Sequence, residues 1–474
     1  MGINLSSIMS MGRDSLENAR AGIDVAGHNI SNAQTEGYSR QRMLLEAKHP
    51  IEYGRQIFGT GADIQTIERV HDRYLAKQIV QESQVNDGLQ AESEGLGRIE
   101  TVFDPDLSVT IRNRITELNN ALRDVSNYPE ELAIRTNAVM ALQALTESLN
   151  LSHNEIRQIQ TDATLEIEGY ISDINRKLSE VASLNEEITI MSAGNRSPAN
   201  DLEDRRDLLL KELSELIDLN YYKDTRGQIV VRGPQDTLLV DGHYHVRLDL
   251  DNTGESKLPQ VIMSNIEWKN YRNITDITHK GKIGGLLKVR DTYAQNILNS
   301  LDKLAYTYGN KFNDVHKMGY GINEYKDLKG RTVFSGLDNL EDASAKIKLS
   351  YEILNDPASL STALTPSNSG DNIIVNELIR VSYEKMFDNG ETDVGGFYDN
   401  IIGKLGSISA HKRNDSEASQ IILDKLTQKR DSMSGVSLDE EAIELLKYQH
   451  LFAASSKIIT TADEMMQTVL DLKR

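Results

Sequence analysis

Residues 16–42 read LENARAGIDVAGHNISNAQTEGYSRQR, and the rest of the chain is organised around them. Met9, Leu16, Ile23 and Ile30 recur every seven residues, and Gly12, Ala19, Ala26 and Ala33 fall at the intervening three-residue offset. A seam with large side chains at one core position and small ones at the other suits a close helix–helix contact. Asn29, Ser31, Asn32, Thr35 and Gly37 then favour caps and turns over a helix interior. The spacing therefore predicts a helix that stops near Asn32 and opens into a loop carrying Tyr38 and Arg40. By period alone, this is an amphipathic helix with a C-terminal cap.

The far end has the same character. Residues 435–466 read GVSLDEEAIELLKYQHLFAASSKIITTADEMM. Ser437 and Glu440 form an S-x-x-E capping box that starts a helix. Leu438, Leu445, Phe452, Ile459 and Met466 occupy every seventh position, while Tyr448, Ala462 and Val469 fill most of the partner stripe and Ser455 is a polar gap in it. The expected assembly seam is Leu16, Ala19, Ile23, Ala26 and Ile30 with Leu445, Phe452, Ile459 and Met466. About ten sizeable apolar side chains at roughly 1.5–3 kcal/mol each stand against roughly seventy residues whose backbones cost about 1–2 kcal/mol each to order. A lone pair of such helices is marginal, so the ends are expected to order fully only when many copies pack together.

The run from Ala26 to Gln41 resembles the amino-terminal signature of the flagellar rod, hook and hook-associated axial protein family. Its Tyr38-Ser39-Arg40-Gln41 ending is most similar to the hook-associated members. The GV-LDEE opening and the Tyr448-Gln449 pair of the last helix are similar to the same family. The resemblance marks Asn29, Asn32, Gly37, Tyr38 and Arg40 as signature residues. It implies a structural subunit of the bacterial flagellum at the hook–filament junction: a ring of copies that contacts the hook protein on one side and hook-associated protein 3 on the other. It further implies secretion through the flagellar type III export apparatus without a cleavable signal, with an export chaperone covering the C-terminal helix beforehand.

Whole-chain totals narrow the alternatives. A chain of 474 residues exceeds one core, so two to four domains are expected. A net charge of −20, from 52 basic and 72 acidic residues, argues against a nucleic-acid binder, which needs a concentrated basic face. Zero cysteines exclude disulfides, thiolate catalysis and cysteine metal sites. Only 8 prolines with 39% apolar residues favour long helices. No apolar run is long enough to span a membrane, and no charged n-region precedes an apolar h-region. The Met1-Gly2 start with Ser6 matches a myristoylation pattern, read here as chance in a short degenerate motif.

Between the ends the period changes several times. Residues 43–70 read as a loop or β-hairpin leading into the body. Residues 72–217 are helical, with Pro105, Pro129 and Pro198 at breaks. Ile111, Ile115, Leu118 and Leu122 mark one helix; Leu132, Val139, Leu142, Leu145 and Leu149 mark the next. A third runs from about Asn154 to Met191, with Ile167, Ile174, Val181 and Ile188 at seven-residue steps. At about 1.5 Å per residue it is roughly 55 Å long, which predicts an elongated domain. After a Gly194–Pro198 turn, Asn200 is placed to cap with Glu203, and the charged run to Asp207 reads as a solvated helix start. In the family, a similar ND-L-D-RD helix is structural.

Residues 221–280 switch to short strands: 228–231, 237–240 and 245–248, with turns at Gly233-Pro234, Asp241-Gly242 and Asn252–Gly254. His243 and His245 share one strand face, but no third ligand accompanies them and no metal is assigned. Gly281–Gly319 returns to a heptad helix through Leu287, Ala294, Leu301, Tyr308 and Val315, expected to pack on the 154–191 helix; His316 reads as a helix-end histidine. Strand-like pieces in 320–370 are expected to rejoin the β region. A helix over 372–387, interrupted by Asn389-Gly390 and Gly395-Gly396, precedes a further helix from Phe397 to Ser432. No H-E-x-x-H, G-x-S-x-G or P-loop pattern occurs.

The expected fold is mainly α with an inserted β domain, elongated and multi-domain, its N- and C-terminal helices paired as a coiled coil beside a long-helix bundle. The expected domains are 1–42 with 433–474 as the terminal coiled coil, 43–220 with 281–322 and 371–432 as the helical body, and 221–280 with 323–370 as a small β domain. No catalytic, cofactor or metal residue is assigned, and the chain reads as a non-enzyme without nucleic-acid binding or membrane insertion. The competing reading is a cytoplasmic coiled-coil scaffold or adaptor. A third is an enzyme whose site converges near His243 only in the fold.

Overall fold

The computed structural model describes residues 5–53, 56–104, 110–193, 199–253, 257–264 and 271–471. Helix α1 (Leu5–Ser31) leads into strands β1 (Gln41–Ala47), β2 (Ile51–Tyr53), β3 (Gln56–Phe58) and β4 (Ala62–Arg69). Four helices follow: α2 (Arg73–Val102), α3 (Ile111–Asn127), α4 (Leu132–Ala193) and α5 (Asn200–Leu216). Then come β5 (Asn220–Lys223), β6 (Ile229–Arg232), β7 (Leu238–Asp241), β8 (Tyr244–His245), β9 (Arg247–Asp251), β10 (Gln260–Ser264) and β11 (Tyr271–Asn273). Helix α6 (Gly281–Leu287) passes through a π-helical stretch, Lys288–Ala294, into α7 (Gln295–His316). The rest is β12 (Phe334–Ser335), α8 (Ala343–Lys346), β13 (Lys348–Leu349), α9 (Tyr351–Asn355), α10 (Ile373–Val381), α11 (Val394–Ser434) and α12 (Leu438–Asp471). The protein is mainly α with small antiparallel sheets, as its periodicities predict.

The chain divides into two compact units, residues 1–86 with 171–281 and 418–474, and residues 87–170 with 282–417. In the first, β1 pairs antiparallel with β4 across a bulge at Leu44/Leu45, and β2 and β3 extend the same hairpin. Strands β5 to β8 form a four-stranded meander, and β9, β10 and β11 a three-stranded sheet. Val230, Val231, Leu239 and Val240 are all buried, so the two central strands of the meander are covered on both faces. Helix α4 docks on both sheets through asparagines. Asn185 donates to Ile229 O at 2.8 Å and accepts from Ile229 N–H at 3.1 Å. Asn175 does the same with Leu248, at 2.9 and 2.8 Å. A buried strand edge leaves backbone groups that must find partners, and an asparagine amide supplies both a donor and an acceptor.

The second unit has one continuous apolar core. The heptad residues Leu287, Ala294, Leu301, Tyr308 and Val315 are all buried, as are Leu118, Leu122, Leu142 and Leu145. Gln160 of α4 donates to Arg290 O at 2.7 Å, which places this helix beside the π-helical stretch. Fully buried Arg135, near the start of α4, has its guanidinium held by Pro129 O, Leu360 O and Thr362 Oγ1 at 2.6–2.7 Å.

Three expectations about the elements need correction. The helices expected at 132–149 and from Asn154 are one 62-residue helix, α4. Asn150 and His153, at the join between them, face inward: Asn150 Nδ2 donates to Ser344 O at 2.7 Å, and His153 Nδ1 lies 2.8 Å from Ser344 Oγ, which also meets Asp302. The 372–387 helix ends at Val381; the turn after it uses positive φ at Asp388, Asn389 and Gly390, and Gly395-Gly396 lie inside α11 rather than breaking a helix. Residues 323–370, grouped with 221–280 by the sequence, lie in the other unit, where Val333, Phe334, Ile347 and Leu349 join its core. Pro105, the Gly194–Pro198 turn, Gly254 and Met1–Asn4 lie outside the described residues.

His316 ends α7 but is wholly buried, and both ring nitrogens are committed: Nδ1 donates to Arg331 O at 2.9 Å and Nε2 accepts from Ser361 N–H at 2.8 Å. Burial pushes its pKa from 6.5 down to about 4; the bond to Arg331 O opposes this, and the charges of Arg331 and Arg135 add to it. The unfolded chain therefore takes up a proton near pH 6.5 that the folded chain refuses until about pH 4. Stability is expected to fall across that window as pH falls, by about 3 kcal/mol from this residue. Urea titrations across the window check this: the slope should be shallower by that amount in His316→Gln.

Candidate functional site

The contact between α1 and α12 brings the two ends of the chain together. They run antiparallel: Asn29 meets Glu441, a side chain added at Gly22 would sit 2.5 Å from the Tyr448 ring, and one at Gly12 2.7 Å from Ile459. Small residues set this approach. Gly12, Ala19, Gly22 and Ala26 are buried on α1, and Ser455 and Ala462 on α12. Ser455, expected as a gap in the stripe, is 1% exposed, and its small size suits the close approach. Gly22 was missed because the seven-residue count passes over it, although its three-residue step from Ala19 continues the small track. Among the other seam residues, Leu16, Ile23, Ile30, Leu445, Ile459 and Met466 are half-buried, and Phe452 is exposed.

A polar clasp closes the lower end of the pair. Buried Asn29 uses its whole amide: Nδ2 donates to Gln41 O and to Glu441 Oε2, both at 2.9 Å, and Oδ1 accepts from Gln41 N–H at 2.9 Å and Tyr38 Oη at 2.7 Å. Burial and the nearby Asp201, Asp204 and Glu441 carboxylates raise the Tyr38 pKa, so the phenol stays a donor. That leaves His28 Nδ1 to donate to it at 3.0 Å. Arg40 reaches Glu440 and buried Glu441, both at 2.7 Å, and its N–H donates to Ser434 O. Asn32 holds the turn through Thr35 N–H and Oγ1. Gly37, at φ +81°, packs where a side chain would meet Leu208 at 3.0 Å, so both backbone and space call for glycine. Four of the five signature residues thus hold the loop against α1, α12 or α5, and Asn32 shapes the turn between.

The charged start of α5 is not a solvated face. Asp204 and Arg206 are 5% and 2% exposed. Asp204 accepts the Ser39 N–H at 3.0 Å and pairs with Arg69 at 2.7 Å, while Arg69 also binds Asp207 at 2.9 Å and Glu203 at 2.8 Å. Burial favours the neutral form of Arg69, but the three carboxylates outweigh it and hold the guanidinium charged. Glu203 is held low, despite burial, by Arg69, Lys223 and Arg206. Asn200 does not cap: Ala199 takes that position, and Asn200 Nδ2 donates to Ile67 O at 2.9 Å. The run is therefore the plate on which the β1–β4 hairpin and the signature loop are mounted.

Comparison with known families decides what this arrangement belongs to. The model of the flagellar hook-associated protein FlgK helical domain matches residues 96–334, about half of the chain, and that of the flagellar basal body rod FlgEFG protein C-terminal matches residues 427–472. The chain belongs to the flagellar hook-associated protein family. It is similar to flagellar hook-associated protein 1 of Bacillus subtilis (strain 168), 25% identical over 97% of this chain and 96% of the relative. It is also similar to flagellar hook-associated protein 1 of Escherichia coli (strain K12), 20% identical over 99% and 100%. The flagellar hook junction protein FlgK from Burkholderia pseudomallei shares the fold, with a TM-score of 0.67 at 14% identity, covering 77% of this chain and all of that one.

As a member of this family, the chain is a structural component of the bacterial flagellum at the hook–filament junction, not an enzyme. Among the described residues no helix is long and apolar enough to cross a membrane. His243 lies in the turn before β8 with its ring 3.9 Å from that of Tyr244, and no group of three or more His, Asp or Glu among the described residues converges to hold a metal. His153, Ser344 and Asp302 do meet, but all three are buried and Ser344 stands between the other two, an order suited to a core anchor rather than a nucleophile.

Proposed function

We propose that the chain enters the flagellar axis through its terminal helix pair, with α12 offering the apolar face beside its α1 contact to neighbouring copies in a ring. The observation that carries this reading is that face. Leu451, Ile458 and Met465 recur every seven residues and are 39%, 47% and 51% exposed, and Leu446, Val469 and Leu470 lie beside them, more exposed still. An apolar stripe of this kind, half open along the edge of a helix contact that Ile458 also touches at Gly12, marks a protein interface. Burying what remains exposed is worth roughly 1 kcal/mol per side chain, repeated in every copy of a ring. Apolar seams also tolerate small axial shifts better than directional polar contacts, which suits a joint between two tubes.

In this reading the hook protein lies on one side of the ring and hook-associated protein 3 on the other. An export chaperone covers α12 before the chain leaves through the flagellar export apparatus, without a cleavable signal. The relatives' names, hook-associated and hook junction proteins, support the hook contact, and the exposed stripe offers a surface for a chaperone to cover. The test is the double substitution Ile458→Lys with Met465→Lys, introduced into a flagellated cell in place of the resident protein. The expected result is a normally folded, secreted chain that fails to build a junction, with filament growth lost. A normal junction and normal motility would contradict it.

A further inference from the structure

One cavity of the first unit is unused by the helix-pair clasp. It measures about 190 Å³ and opens beside the first turn of α2, with Arg206 among the residues lining it and Tyr221, Tyr222 and Lys223 of β5 along one wall. At about 30 Å³ per water molecule it has room for a small ion with part of its hydration. Its lining is unusual for a chain of net charge −20. Arg206 is 2% exposed, yet its Nε has no acceptor among the described residues; Nη1 donates to Asn185 at 3.1 Å, and the nearest carboxylate, Glu203, stands 3.9 Å from Nη2. A buried guanidinium N–H without an acceptor is a cost that proteins rarely carry for nothing.

Arg73 and Lys77 add a second, independent sign. They lie four residues apart on the first turn of α2, both line the cavity, and neither has a salt bridge among the described residues. Like charges at that spacing repel, and cations at a helix N-terminus oppose its dipole. The two carboxylates that line the cavity are already engaged: Glu203 and Asp207 bind Arg69 at 2.8 and 2.9 Å. The helix's own N–H groups at this end are taken by Asp72, which accepts from Tyr74 and Leu75 at 2.9 and 3.1 Å. What is uncommitted in the cavity is therefore positive.

We propose that this cavity binds a small oxyanion of the phosphate class, with Arg73 and Lys77 as its outer contacts and the buried Arg206 as its inner one. Binding would relieve the repulsion at the α2 terminus and clamp α2, α5 and β5 together. Arg73 is exposed and Lys77 half-buried, so Arg73→Gln with Lys77→Gln removes the outer contacts without opening the core.

The test is calorimetry and thermal unfolding of the full chain with inorganic phosphate against chloride at matched ionic strength. The expected result is saturable phosphate binding with a raised unfolding temperature, at least tenfold weaker in the double variant, whose phosphate-free unfolding temperature is no lower than the wild-type value. Equal responses to phosphate and chloride, or equal phosphate affinity in the wild type and the double variant, would overturn the proposal. If the double variant unfolds early, Arg73→Gln alone, at an exposed contact, serves in its place, with a threefold or greater loss of phosphate affinity expected and an unchanged affinity contradicting.

Discussion

Replacing Ala19 with aspartate is expected to separate the terminal helices and abolish junction assembly while leaving the 87–170 and 282–417 unit folded. Ala19 is wholly buried and falls between the two closest approaches of α1 and α12, at Gly12 and Gly22. The residues α12 presents at those two approaches, Ile459 at Gly12 and Tyr448 at Gly22, carry no cation. A carboxylate at that point is desolvated without a partner, at a cost of at least about 3 kcal/mol, more than a pair resting on small-residue contacts retains. Ala26→Asp should be milder, because Arg40 and Lys447 line the cavity beside Ala26. The order Ala19→Asp, then Ala26→Asp, then Ala19→Ser, in junction formation and in amide exchange of residues 5–31, checks the argument.

Arg69→Met is expected to be the most damaging single change in the first unit. It leaves Glu203, Asp204 and Asp207 together, with Asp204 only 5% exposed, and removes the charge that holds them. Stranding buried charge in this way costs about 3–5 kcal/mol. The variant should also weaken the local loss of stability in acid. Without Arg69, Glu203 and Asp204 lose the charge that favours their ionised forms against burial, so protonating them costs the folded variant less and acid destabilises it less than the wild type. In the wild type, Arg69, Lys223 and Arg206 hold Glu203 below its ordinary value against burial, so its contribution is lost as pH falls, while burial holds Asp204 above its ordinary value and works the other way. Chemical denaturation of wild type and variant at neutral pH and near pH 4.5 measures both effects; a variant that loses stability with acid as the wild type does would reject this account of the cluster.

Periodicity made the helices legible, because a repeat of seven or of 3.6 residues is a local property of the chain. The start of α12 at Ser437 and the end of α1 before Asn32 were legible for the same reason: capping side chains act within four residues of themselves. What stayed hidden depends on partners distant in sequence. Asn175, Asn185 and Asn313 look like loop formers, yet each sits inside a helix and satisfies a strand's backbone. Asp204 looks like a surface charge, and only the arrival of Arg69 and Ser39 explains its burial. Ser455 read as a defect because the count rewarded large apolar residues, whereas this interface selects for small ones. The clasp came from a resemblance in wording; period alone gives no reason for Asn29, Tyr38, Arg40 and Glu441 to meet.

The account rests on α12 having two working faces, one closed on α1 within the chain and one closed by other copies. Electron microscopy of the intact hook–filament junction, at a resolution that shows side chains, measures this directly. The expected result is an antiparallel α1–α12 pair in each copy, with Leu451, Ile458 and Met465 buried against helices of neighbouring subunits. A junction in which those three side chains face open solvent, or in which α1 and α12 of one chain lie apart, would contradict it.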